Sequence, residues 1–139
     1  MVIHINYWAV LLGAVSSMVI GTIYYSDAVI GKTWKKLSKI DTKRFEKEMS
    51  FNVSQLFIGA LITSYTIAFV TFLYHSYYRG SWIVAGIATS LVLFVGISAT
   101  TIAIHDTLNQ IPSKLINIKF GNRFLSILAM GLIIGWLHP

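Results

Sequence analysis

Apolar residues run along this chain in four long blocks, separated by two basic stretches and one short turn. No Asp, Glu, Lys or Arg occurs in residues 1–26, 49–78, 80–105 or 124–139. A hydrocarbon core takes about 20 apolar residues per crossing helix, and the blocks meet or approach that length. They predict four transmembrane helices, at about residues 6–25, 51–74, 82–104 and 116–137. The expected fold is an all-α integral membrane four-helix bundle in one domain, with an amphipathic cytoplasmic segment between spans one and two.

The connections are equally legible. The first block has no Lys or Arg before it and no short apolar core followed by a break, so it reads as a retained span rather than a signal peptide. Ser26 and Asp27 after it look like a helix restart, Ser as a cap and Asp in a first turn that favours negative charge. Residues 32–49 hold seven of the eleven basic residues, interleaved with Trp34, Leu37, Ile40, Phe45 and Met49. That spacing predicts an interfacial amphipathic helix whose Lys32, Lys35, Lys36 and Lys39 meet lipid headgroups. The six residues from Ser76 to Ser81 are too few for anything but antiparallel neighbours. Pro112 cannot continue the hydrogen bonding of the helix before it, so a turn is expected at Asn109–Ser113.

Composition narrows the class. Charged residues are 12% of the 139, against about 25% in soluble domains, and the mean hydropathy is +0.69. With no cysteine there is no disulfide framework and no thiolate metal site. The net charge of +6 comes from residues flanking apolar spans, which favours membrane lipid over nucleic acid as a partner. Ten basic residues fall in the 26–51 and 105–123 connections and one in the 76–81 turn. The positive-inside rule then places both basic connections in the cytoplasm of a cell membrane and both termini outside.

Between transmembrane helices, association comes from close packing of small residues and from polar contacts, because lipid is as apolar as leucine. Gly13, Ser17 and Gly21 follow one another at spacings of four on the first span. The second carries Asn52, Gln55, Gly59, Thr63 and Thr66 on one face and Ala60, Ser64, Ala68 and Thr71 on the opposite one, as a central helix would. The third groups Gly86, Thr89, Ser90, Thr100 and Thr101. The fourth carries Gly131 and Gly135, a GxxxG pair, on the face of Asn117 and Gly121. These faces are expected to pack helices and to join protomers in a homo-oligomer, and Gln55, Thr63 and Thr66 are the candidate lining of a hydrated path.

Candidate chemistry is sparse. Asp27 and Asp106 each sit at the basic-loop end of a span, where hydration, capping or a nearby Lys satisfies a carboxylate. His105 beside Asp106 points about 100° away from it on a helix, which argues against a bonded pair. His4, His75 and His138 share the end opposite the basic loops, without the spacing that arranges metal ligands on one element. No phosphate loop, HExxH, GxSxG or pair of intramembrane glutamates occurs. No catalytic residue, metal or cofactor is expected, nor an enzyme. The expectation is a membrane protein of unassigned activity. An oligomeric channel or carrier, or an accessory subunit of a larger membrane complex, stands beside it.

Two segments, Asn6 to Leu37 and Leu115 to Trp136, resemble the two ends of a widespread family of small, mainly bacterial four-span membrane proteins of unknown function. That family shows an Asn-Tyr start, then Gly-x-x-Trp-Tyr-Ser-Pro, then Phe-Gly-x-x-Trp, and an Ile-Asn pair before its last span. The matching positions are Asn6, Tyr7, Gly21, Tyr25, Ser26, Gly31, Trp34, Ile116 and Asn117. Tyr24 stands where the family has Trp, and Asp27 where it has Pro, both suited to a first helical turn. The resemblance implies the fold and carries over no activity.

Overall fold

The structure is a computed structural model and describes residues 3–139. It is all-α among those residues, and four helical stretches are long and apolar enough to cross a membrane: Tyr7–Tyr24, Met49–Tyr78, Trp82–Leu108 and Ser113–Trp136. The first is α1, followed by two short helices, α2 (Gly31–Ser38) and α3 (Thr42–Lys47), and by α4 (Met49–Tyr78). The third span is composite, with α5 (Trp82–Leu93), a π-helical turn (Phe94–Ala99) and α6 (Thr100–Leu108). Helix α7 (Ser113–Trp136) completes the bundle. The start of α1 and the end of α7 lie at one end, tied by Asn6 and Leu137; α2, α3 and the α6–α7 turn lie at the other, the basic end.

Helices α1, α4, the third span and α7 follow one another around the bundle, and α4 also touches α7 across it. Both α4 and α7 therefore contact every other span, so the centrality expected of α4 is shared with α7. Only one of the two predicted faces of α4 is buried, that of Ala60, Ser64, Ala68 and Thr71 together with Ile67. Close approach depends on small residues. Gly13 meets Ser64 and Met130, while Gly86 meets Gly131 and Gly135 backbone to backbone. A Cβ on Gly135 would lie 2.6 Å from the Trp82 carbonyl oxygen and 2.8 Å from Ile83 Cα, so only glycine fits. Hydroxyls complete these seams: Ser64 donates to the Val10 carbonyl at 2.8 Å and Ser90 to the Ile127 carbonyl at 3.0 Å. Such bonds matter in lipid, where no water substitutes for a lost partner.

The ends are tied as well. At the terminal end the Asn6 carboxamide oxygen caps α1 by accepting from the Trp8 and Ala9 amides, while its nitrogen donates to the Leu137 carbonyl at 2.7 Å. At the basic end the Tyr24 hydroxyl donates to the Ile118 carbonyl at 3.0 Å. The restart after α1 differs from expectation. Ser26 bonds back to the Ile23 carbonyl, and α2 begins at Gly31 with no side-chain cap. The chain doubles back so tightly that a Cβ on Gly31 would lie 2.7 Å from the Ser26 carbonyl carbon. Asp27 is left outside the helix and pairs with Lys35 at 3.1 Å. The basic segment is two short helices rather than one, α2 packed on α7 and α3 on α4.

Candidate functional site

Helix α7 turns one stripe toward the bundle axis. Ile134, Met130 and Ile127 follow one another at spacings of four and three, and all are buried in the core. At the same helical spacing, the stripe continues toward the basic end as Arg123 and Lys119. In the basic half of α7 the buried positions are Ile118 and Leu115, and Arg123 and Lys119 stand half-buried beside them. Counting these two residues as loop charges hid them; extending the core stripe along the sequence finds them.

The two cations are treated differently. Lys119 Nζ donates to Asp106 Oδ2 at 2.8 Å, and Asp106 is only 3% exposed. Its other oxygen lies 3.1 Å from His105 Nδ1, and Asn109 Nδ2 donates to the His105 carbonyl at 2.8 Å. The side chains of His105 and Asp106 thus meet, contrary to the expectation from their backbone directions, because the imidazole reaches around the helix. Arg123 has no carboxylate within ion-pair distance among the described residues. Its Nη2 donates to Thr63 Oγ1 at 3.3 Å, and that hydroxyl donates onward to the Gly59 carbonyl at 2.8 Å.

Asp106 faces α7 because of the π-helical turn. Ser90 already faces α7, and on a regular helix of about 3.6 residues per turn Asp106 would lie about 160° away from it, toward lipid. A π turn absorbs one extra residue, which removes about 100° of rotation and brings Asp106 round to Lys119. The same rotation carries Thr100 and Thr101 away from Ser90 to the exposed side, overturning their expected grouping. Thr100 instead satisfies the Gly96 and Ile97 carbonyls, both at 3.0 Å. Phe94, at the start of the turn, packs edge-on against Phe124, with ring centroids 5.2 Å apart.

The other predicted residues scatter. Gln55 and Thr66 lie on the exposed face of α4, whereas Thr63 borders the bundle and is the member of that group that meets Arg123. Gly13, Gly131 and Gly135 stand at helix contacts; Gly21 and Gly59 have nothing within 4 Å of a built Cβ. Ser17 is half-buried, and Lys32, Lys35, Lys36 and Lys39 are exposed. His75 and His138 both stack on Trp82, with centroids 3.6 and 5.5 Å apart, and His4 lines the same small cavity as Trp82. Each of the three histidines thus neighbours Trp82. Among the described residues, no group of His, Asp or Glu side chains is arranged to hold a metal ion.

The arrangement is a filled bundle through its middle, with buried Asp106 and half-buried Lys119 and Arg123 toward the basic end. Met130, Ala14 and Ser64 are fully buried where α1, α4 and α7 meet. Nearer the basic end, α1 and α4 diverge around an open apolar cavity of about 380 Å³ lined by Val15, Met18, Val19, Thr22, Ile23, Val53 and Phe57. No curated protein and no solved structure matches this chain. The family described as "Protein of unknown function (DUF1761)" matches residues 8–135, and together with the four spans this shows that the chain belongs to that family.

Proposed function

We propose that this multi-pass protein works as an assembly unit of a cell membrane, joined to further copies of itself along the outward face of α4. The observation that carries the reading is Gly59. It lies in the middle of that face with nothing within 4 Å of a built Cβ, between exposed Gln55 and Thr66. A glycine there costs helix stability and gives nothing to packing inside the protomer, but it lets another helix backbone approach. An exposed amide on the same face gains a partner from that approach. The glycines of the GxxxG pair on α7 are already used within the protomer, so the α4 face replaces them as the surface between copies.

The absence of cysteine makes the test direct. Gly59→Cys in membranes should form an oxidant-dependent dimer, whereas Gly21→Cys, at another open glycine, should not. Monomer alone at high protein density, or equal cross-linking of both variants, refutes the reading, and a cross-link to a different protein would favour an accessory subunit. A small-solute path is the second reading. Because the bundle is filled where α1, α4 and α7 meet, such a path would run between copies along Gln55, Thr63 and Thr66.

The ten-to-one distribution of basic residues supports a cytoplasmic basic end and external termini. Lys36→Cys should then resist an impermeant thiol reagent in intact cells while Ser81→Cys reacts; the reverse pattern inverts the orientation.

A further inference from the structure

Arg123 lies within a membrane span, and intramembrane arginines elsewhere pair with acids or point toward the interface. This one does neither. The sequence holds five acidic residues. Four of them, Asp27, Asp41, Glu46 and Glu48, belong to the segment between α1 and α4, and the fifth, Asp106, is already engaged by Lys119 and His105. The Arg123 charge therefore has no counterion among the described residues.

Its direction is also unusual. The Tyr24 hydroxyl bonds the Ile118 carbonyl, which puts the basic end of α1 level with that part of α7, a little over one turn from Arg123. Thr63 adjoins Ser64, and Ser64 and Met130 both meet Gly13, so the guanidinium runs from Arg123 toward the level of Met130, away from the basic end. Side chains on a helix lean toward its N-terminus by default; this one extends toward the C-terminus, into the bundle. Of the five N–H donors of a guanidinium, the described residues engage one, through Thr63.

The surroundings are open toward the basic end. Helix α4 meets the third span through α5, while α6 packs on α7. Toward the basic end, Phe51, Val53, Ser54, Gln55 and Leu56 of α4 are exposed, as are Thr100, Thr101 and Ile104 of α6. Asn52, Leu56, Gly59 and Thr63 share one edge of α4, at spacings of four, three and four, so a carboxamide lies on the Thr63 edge nearer the basic end. A planar fork with free donors in a water-poor setting is suited to bidentate recognition of a carboxylate or phosphate.

We propose that Arg123 anchors an oxyanion-binding site in the basic-end half of the bundle, with Thr63 holding the guanidinium in place while the site is empty. The ligand is a carboxylate or phosphate group, carried either by a soluble anion or by the headgroup of an anionic lipid. The site adjoins the α4 surface between copies, since Thr63 bonds the Gly59 carbonyl, but it is read from Arg123 and does not require that surface.

The test uses the full chain, purified in neutral detergent, with thermal unfolding as the readout. One arm titrates phosphate and acetate against chloride at matched ionic strength; the other titrates phosphatidylglycerol against phosphatidylcholine. Saturable stabilisation by a soluble anion or by phosphatidylglycerol supports the site and identifies the source. That stabilisation should need at least tenfold more ligand in Arg123→Gln, be partly retained in Arg123→Lys, and be unchanged when Lys35 and Lys36 are both replaced by Gln. Thr63→Val, which removes the hydroxyl partner but keeps the guanidinium, should bind as well as or better than the parent, and it serves if Arg123→Gln does not fold. Absence of saturation in both arms overturns the proposal, as does equal response of Arg123→Gln and the parent, or loss of binding in Thr63→Val with retention in Arg123→Lys.

Discussion

Removing the two partners of the Asp106–Lys119 pair should have unequal consequences. The side chain of Asp106 is 4% exposed and that of Lys119 is 34% exposed. Lys119→Met leaves a buried carboxylate with only His105, and breaking a buried pair in this way costs about 3–5 kcal/mol. Asp106→Asn leaves a lysine that already reaches solvent or headgroups and an amide that still accepts one hydrogen bond, so the loss should be about 1.5–3 kcal/mol, the scale of a single hydrogen bond to a charged group. The double variant, Asp106→Asn with Lys119→Met, strands no charge and should lie near the milder single variant, because replacing both members of a buried pair is often neutral. Unfolding with increasing denaturing detergent in mixed micelles, followed by circular dichroism, gives the three free energies and their coupling. If Asp106→Asn costs as much as Lys119→Met, or if the two effects add in the double variant, the carboxylate is not held by Lys119 in the way the geometry requires.

Two further outcomes follow from the backbone. Deleting Gly96 should convert the π-helical turn to regular helix while keeping Asp106 toward α7, since the deletion removes the extra residue the turn absorbs; folding yield and thermal stability should be retained, and their collapse would refute the register argument. Asn6→Ala removes both the α1 cap and the bond to the Leu137 carbonyl, so it should cost about 1–2 kcal/mol and raise amide exchange at both termini; exchange confined to α1 would show that the bond to α7 contributes nothing.

The sequence by itself determined the number of spans, their approximate ends and the positions of the basic connections. The reason is physical: a bilayer accepts only long apolar helices with internally satisfied backbones, and charges then have few places to go. The resemblance to the family was read from residues at the span ends such as Asn6, Gly31 and Trp34, and the family matches residues 8–135. Asn6 caps α1 and also clasps α7, Gly31 permits the tight fold-back, and Trp34 packs on Tyr25.

Only the tertiary structure decided which faces meet. Leucine against lipid and leucine against a helix look alike in sequence, so hydrophobicity does not distinguish Gly13, where a Cβ would strike Ser64, from Gly21, where a Cβ would meet nothing within 4 Å. The third span shows the limit most clearly. Its face was readable only as far as the π-helical turn, because one residue accommodated without a break in the helix rotates everything after it. That rotation turns Thr101 outward and buries Asp106 against Lys119. Arg123 was visible as a charge, but its direction into the bundle depends on α4 passing close enough for Thr63 to accept its hydrogen bond, a distance fixed by the small residues where the helices cross.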